Sequence, residues 1–183
     1  MSWCANEHGG GQHPDRGTEH LKPHLEIERA WLLRGEPALP ANRLTIRIEQ
    51  GYVLGTDGVR HGARLRRAID QVGTVHCTLT RKSGMGLVRH EEEHTLDAAS
   101  FEDLWPQTLG RRLTKVRHVV PHGPLRWEID GFLGIDLWLA EVELPSVGTL
   151  VEPPPWLAPW IVREVTEDPR YRNSALALRG LPQ

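Results

Sequence analysis

The sequence predicts a mainly β (α+β) fold: an antiparallel meander of about eight strands, closed or nearly closed into a barrel, with about two or three flanking helices. Two observations carry this. Apolar and polar residues alternate with a period of two in segment after segment. Short Gly- and Pro-containing breaks separate the segments, which favours sequential hairpins over parallel crossovers.

Residues 1–22 are rich in Gly, His and polar residues and lack apolar periodicity, so they read as a disordered leader. Its Cys4, His8, His13 and His20 fit no standard zinc spacing. Residues 23–183 read as a single domain. The first strand is 25–33, where Glu26 and Glu28 share one face while Ile27, Arg29 and Trp31 share the other. After the break at 35–40, a strand over 44–54 alternates Leu44, Ile46 and Ile48 with Thr45, Arg47 and Glu49. A turn at 55–58 leads to alternation at 63–66, a β-branched strand at 74–82, a turn at 83–86 and a strand at 87–96. Ser100 is the expected N-cap of a short helix carrying Phe101, Leu104 and Trp105, with Asp103 three residues on. Strands return at 111–119, 125–132 and 138–144. Pro153, Pro154 and Pro155 begin a stiff connector. Asp168 followed by Pro169 opens a short C-terminal helix reaching Leu178.

Composition removes several function classes. The net charge of -2 gives no basic excess for nucleic acid. Cys4 and Cys77 are too few for a disulfide framework and fit a reducing compartment. Asp130, Asp136, Glu141 and Glu143 interrupt the most apolar later stretch, so no membrane span is expected. With no signal-peptide pattern, the expected location is the cytoplasm. The sequence leaves a homodimer open.

Six strands carry two like charges at i and i+2: Glu26/Glu28, Arg64/Arg66, Glu91/Glu93, Lys115/Arg117, Glu128/Asp130 and Glu141/Glu143. Lys82 and Arg89 add single cations in the same pattern. The flanking residues are mostly apolar, as with Ile27, Leu65, Val116, Ile129 and Val142. One such strand is an ordinary solvated face. Six strands segregated by sign are a different matter, because adjacent like charges repel unless something compensates them. A polar barrel interior resolves this: carboxylates hold hard divalent cations and the basic strands hold a polyanion.

In this order the motifs resemble the CYTH-domain family, the triphosphate tunnel metalloenzymes. Glu26-Ile27-Glu28 is similar to the start of that family's ExExK motif. The likeness continues through Gln50-Gly51-Tyr52, Arg64-Leu65-Arg66, Lys82, Arg89 to Glu93, and Lys115-Val116-Arg117. It closes through Trp127 to Asp130, Glu141-Val142-Glu143 and the stretch from Glu164 to Asn173, where Glu-Val-Thr after Pro-Pro-Trp is similar to the bacterial branch resembling inorganic triphosphatases. The resemblance implies an eight-stranded antiparallel tunnel with a charged lumen, and Mg²⁺- or Mn²⁺-dependent attack of water on inorganic triphosphate. It implies Glu26, Glu28, Glu141 and Glu143 as metal ligands, assisted by Asp130, Glu91 and Glu93. Arg64, Arg66, Lys82, Arg89, Lys115 and Arg117 then hold phosphate, with Lys82 and Glu28 as the catalytic residues. No covalent phosphoenzyme is expected.

Two features depart from the family pattern. The ExExK lysine is Ala30 here, on the same face as Glu26 and Glu28, so a charge is lost unless Arg81, Arg163 or another cation reaches in. The connector 156–163 is longer than expected, and either caps the tunnel or packs its tryptophans on the barrel surface. Cys77 is expected to be a strand residue and not a reactive thiol. Alternatives to triphosphate hydrolysis are a class IV adenylyl cyclase, a nucleoside or thiamine triphosphatase, and a non-catalytic polyphosphate-binding module favoured by Ala30.

Overall fold

Period-two alternation produces the antiparallel sheet that the sequence predicts. The computed structural model describes residues 24–54, 61–83 and 89–182. The 1–22 leader and the turn residues 55–58 and 84–86 lie outside the described residues. The strands are β1 (His24–Glu26), β2 (Glu28–Leu33), β3 (Leu44–Leu54), β4 (His61–Asp70) and β5 (Val75–Ser83). They continue as β6 (Arg89–Leu96), β7 (Arg112–His122), β8 (Leu125–Leu133), β9 (Trp138–Glu143) and β10 (Ile161–Glu164). Their order in the sheet is β1-β6-β5-β4-β3-β7-β8-β9-β2-β10, with every neighbour antiparallel.

The expected first strand is split. At Ile27 the pairing partner changes: β1 pairs with β6 and β2 pairs with β9. One stretch of chain therefore touches both flanks of the sheet and draws it into a strongly curved tunnel wall. The sheet is not closed along its full height, because β1 meets β6 over three residue pairs only and β10 ends the ladder beside β2. β10 is a correction to the expected connector: Ile161, Arg163 and Glu164 pair with Leu33, Leu32 and Trp31.

The convex face is covered in two places. Ile27, Trp31, Leu33, Trp127, Ile129, Ala140, Val142, Leu144 and Leu157 form one core, with Trp156 and Trp160 packed against it. The connector thus lies on the outer face, where Pro154 O accepts from Leu157 N and Ala158 N. Helix α1 (Ala98–Leu104) and the 3-10 turn Trp105–Thr108 cover Leu65 and Cys77 through Phe101. The helix begins earlier than expected: Asp97, not Ser100, is the N-cap, and its carboxylate accepts from Ser100 N at 2.7 Å. Gly51 is needed beneath this cover, since a Cβ there would lie 2.5 Å from Thr108. Each large side chain buried in these cores contributes about 1.5–3 kcal/mol. Cys77 is buried, and burial raises its thiol pKa, as expected of a structural cysteine.

One end of the concave face is apolar. Helix α2 (Asn173–Arg179) follows the 3-10 turn Pro169–Tyr171, which Asp168 caps by accepting from Arg170 N. Leu176 of α2 and Val165 pack against Leu113, Phe132, Leu137 and Leu139, plugging that end of the tunnel.

Candidate active site

Register decides which side chains share the concave face. Arg117 lies opposite Asp130, Glu128 opposite Glu141, and Glu28 opposite Glu143. On the other wall, Tyr52 lies opposite Arg64, Gln50 opposite Arg66, Arg66 opposite Thr78, and Thr80 opposite Glu93. Lys82 opposite Glu91, and Glu26 opposite Arg89, continue the same row, with their side chains outside the described residues. All six like-charge pairs therefore hold register positions in one row, and their described side chains share the face that lines the tunnel.

The β7–β8–β9 wall is a dense ion network. Lys115 and Asp130 are fully buried, and Lys115 Nζ donates to Asp130 Oδ2 at 2.5 Å and to Asn173 Oδ1 at 3.3 Å. Arg117 clamps the same carboxylate, with Nε to Oδ1 and Nη2 to Oδ2 both at 2.7 Å. Its Nη2 also donates to Glu141 Oε2 at 2.7 Å, and its Nη1 donates to Glu128. Burial opposes ionisation of Asp130, but Arg117 and Lys115 outweigh it and hold the carboxyl below the usual range. Burial and Arg117 together lower the Lys115 ammonium pKa.

Three carboxylates converge at the edge of this network. Glu28, Glu128 and Glu141 offer oxygens that all lie within 4.8 Å of one another. Burial, then the charge of Glu28, pushes Glu141 up to about 8, despite its contact with Arg117. A site that crowds hard oxygen donors until one resists ionising fits a divalent cation, whose charge removes that repulsion. The sequence-based ligand set thus divides. Glu28 and Glu141 meet; Asp130 is engaged by two cations; Glu143 lies exposed at the register position beside Glu28. Glu128 joins them, although sequence reasoning placed it only among the charge pairs. Its alternation with Asp130 puts it on the right face, but nothing local separates a chelating carboxylate from one held by cations.

The β4–β5 wall contrasts with this. Arg64 Nη2 donates to Thr80 Oγ1 at 3.1 Å, and Thr80 Oγ1 donates to Glu93 Oε2 at 2.9 Å. Arg66 is half-buried, and among the described residues it forms no ion pair; its polar contact is Nη2 to Gln50 Oε1 at 3.5 Å. Burial, with Arg64 and Arg117 nearby, lowers its guanidinium pKa to about 10. Gln50 is itself fully buried and donates to Tyr52 Oη at 2.9 Å. Burial pushes the Tyr52 phenol up to about 12, so it remains a neutral donor or acceptor.

A relative from Nitrosomonas europaea, an inorganic triphosphatase, is 42% identical over 160 residues, spanning 84% of this chain and 97% of that protein. The chain belongs to the inorganic triphosphatase family. An inorganic triphosphatase from Acetivibrio thermocellus is 41% identical over 155 residues, covering 82% of this chain and 92% of its own. The solved structure of an inorganic triphosphatase superposes with a TM-score of 0.58 at 35% identity, over 86% of this chain and 97% of that one. No family model matches the chain. Membership agrees with the branch that the motifs resemble, and the relatives' names do not favour the cyclase reading. Among the described residues, no helix is long and apolar enough to cross a membrane.

The strand register gives Ala30 a definite place. It lies opposite Glu141 and packs against the apolar plug. Its N donates to Thr166 Oγ1 at 3.0 Å and its O accepts from Val165 N at 2.8 Å. Neither cation expected to substitute for lysine does so. Arg81 is exposed on the outer face, and Arg163 is turned toward Tyr171 and Asp168.

Proposed function

We propose that the tunnel hydrolyses inorganic triphosphate with a divalent cation of the Mg²⁺ or Mn²⁺ type held by Glu28, Glu128 and Glu141. The observation that supports it is the division of charge across one lumen. One wall gathers three converging carboxylates, while the facing wall presents Arg66, a half-buried guanidinium without a carboxylate partner among the described residues. A bound cation of this class neutralises phosphate charge and acidifies an attacking water. Arg66 and Arg64, with Lys82 and Arg89 on the same face by register, would take the phosphate oxygens. Lys115 and Arg117 act from behind, fixing Asp130 and Glu141 so that the carboxylates do not reorganise during reaction. Glu26, Glu91, Glu93 and Glu143 remain as outer carboxylates toward the cation. The substrate is a small anion, and cytoplasmic location and activity without a nucleic-acid or membrane partner complete the reading. Phosphate release from tripolyphosphate with Mg²⁺ or Mn²⁺ tests it, with Glu28→Gln as control. Release that is abolished by EDTA and falls about a hundredfold in the variant is expected; equal release from parent and variant would refute the metal assignment.

A further inference from the structure

The β4–β5 wall holds a second unsatisfied group beside Arg66. Thr78 lies directly opposite Arg66 in the ladder, so both side chains leave the same face, about 5 Å apart at Cβ. The Thr78 hydroxyl and Arg66 Nε are both shielded from solvent, and both lack a hydrogen-bond partner among the described residues. The next hydroxyl on the strand, Thr80, is already used by Arg64 and Glu93. Gln50 takes the neighbouring Nη2 of the Arg66 guanidinium and is itself anchored by Tyr52, which leaves Nε without a partner on the face that Thr78 shares. Burying an unpaired polar group costs about 1–3 kcal/mol. Keeping two of them side by side is therefore expensive unless a ligand completes them.

We propose that Thr78 is a substrate-binding residue: its hydroxyl and Arg66 Nε donate together to the oxygens of one phosphoryl group of the bound triphosphate. This rests on the triphosphate reading above. The chemistry favours a tetrahedral oxyanion, whose several acceptor oxygens suit adjacent O–H and N–H donors. A neutral hydroxyl also adds a donor without adding charge to a wall that already carries Arg64 and Arg66 within the field of Arg117.

The test compares the parent with Thr78→Val and Thr78→Ser. Valine keeps the branched shape that suits a strand and deletes only the donor; serine restores the donor. The expected result is a KM for tripolyphosphate raised about tenfold in Thr78→Val, kcat within about twofold of the parent, and recovery in Thr78→Ser. Thermal midpoints of all three report folding. An unchanged KM in Thr78→Val overturns the inference. So does a Thr78→Ser as impaired as Thr78→Val, which would assign the effect to the threonine methyl. Calorimetric titration of tripolyphosphate into the same proteins in EDTA separates this inference from the hydrolysis reading. Binding weakened in Thr78→Val, with no phosphate released by the parent, upholds the site and rejects hydrolysis. A parent that neither binds nor hydrolyses tripolyphosphate rejects both.

Discussion

The two walls of the tunnel carry similar charged residues in opposite states. On the β7–β8–β9 wall, each buried cation has a carboxylate within hydrogen-bond distance, with Asp130 shared between Lys115 and Arg117. On the β4–β5 wall, Arg66 is half-buried and meets only an amide. The difference separates what holds the barrel from what it holds. A satisfied network repays the desolvation of its members internally, whereas a half-buried cation without a countercharge is placed to take an anion from outside.

Removing the centre of the satisfied wall is the most damaging change. Asp130→Asn leaves Lys115 and Arg117 buried with one fewer countercharge, and should destabilise the fold by about 3–5 kcal/mol in a urea titration. A loss under about 1 kcal/mol would mean that the network is not structural. Arg66→Met should behave oppositely. Stability holds within about 1 kcal/mol or rises, because a desolvated charge is gone. The kcat/KM for tripolyphosphate should fall about a hundredfold. Equal stability losses in the two variants would erase the distinction between the walls.

The third prediction concerns the converging carboxylates of β2, β8 and β9. The folded pKa of Glu141, about 8, lies above the ordinary carboxylate value, so between the two the folded protein holds a proton that a metal must displace. Mn²⁺ affinity, measured by calorimetry, should therefore rise about tenfold per pH unit on approaching pH 8 from below and level off above it. A flat profile from pH 6 to 9 would place the ion elsewhere. The smallest effect is expected from Ala30→Lys. A lysine here faces Glu141 but must displace part of the apolar plug. Turnover should rise a few-fold, about twofold to fivefold, while the thermal midpoint drops by about 4 °C. An unchanged rate would show that this tunnel no longer depends on a cation at that position.

Much of this was legible in residue order because alternation is local. The i, i+2 spacing of Lys115/Arg117 or Glu128/Asp130 places both charges on one face whatever surrounds them. Gln50 and Tyr52 obey the same alternation and could have been assigned to the lumen from it. Thr78 could not be singled out, because a threonine in a strand carries no sign of whether its hydroxyl is satisfied. The missed β10 and the displaced cap of α1 have simpler causes. Four residues after a Pro-rich connector give little periodicity, and Asp97 competes with Ser100 as a cap by reaching the same helical turn.

By itself, then, the sequence determined the strands, the sorting of like charges onto one face, and the apolar residues behind them. Whether that face looked into a tunnel or out to water depended on curvature, with 24–33 pairing at both flanks of the sheet. Tertiary structure also decided which charges met. Arg117 reaches Asp130, Glu128 and Glu141 on two other strands, and α2 returns to plug the apolar end. Those contacts arise from register and closure between distant segments, and a period of two within any one strand cannot encode them.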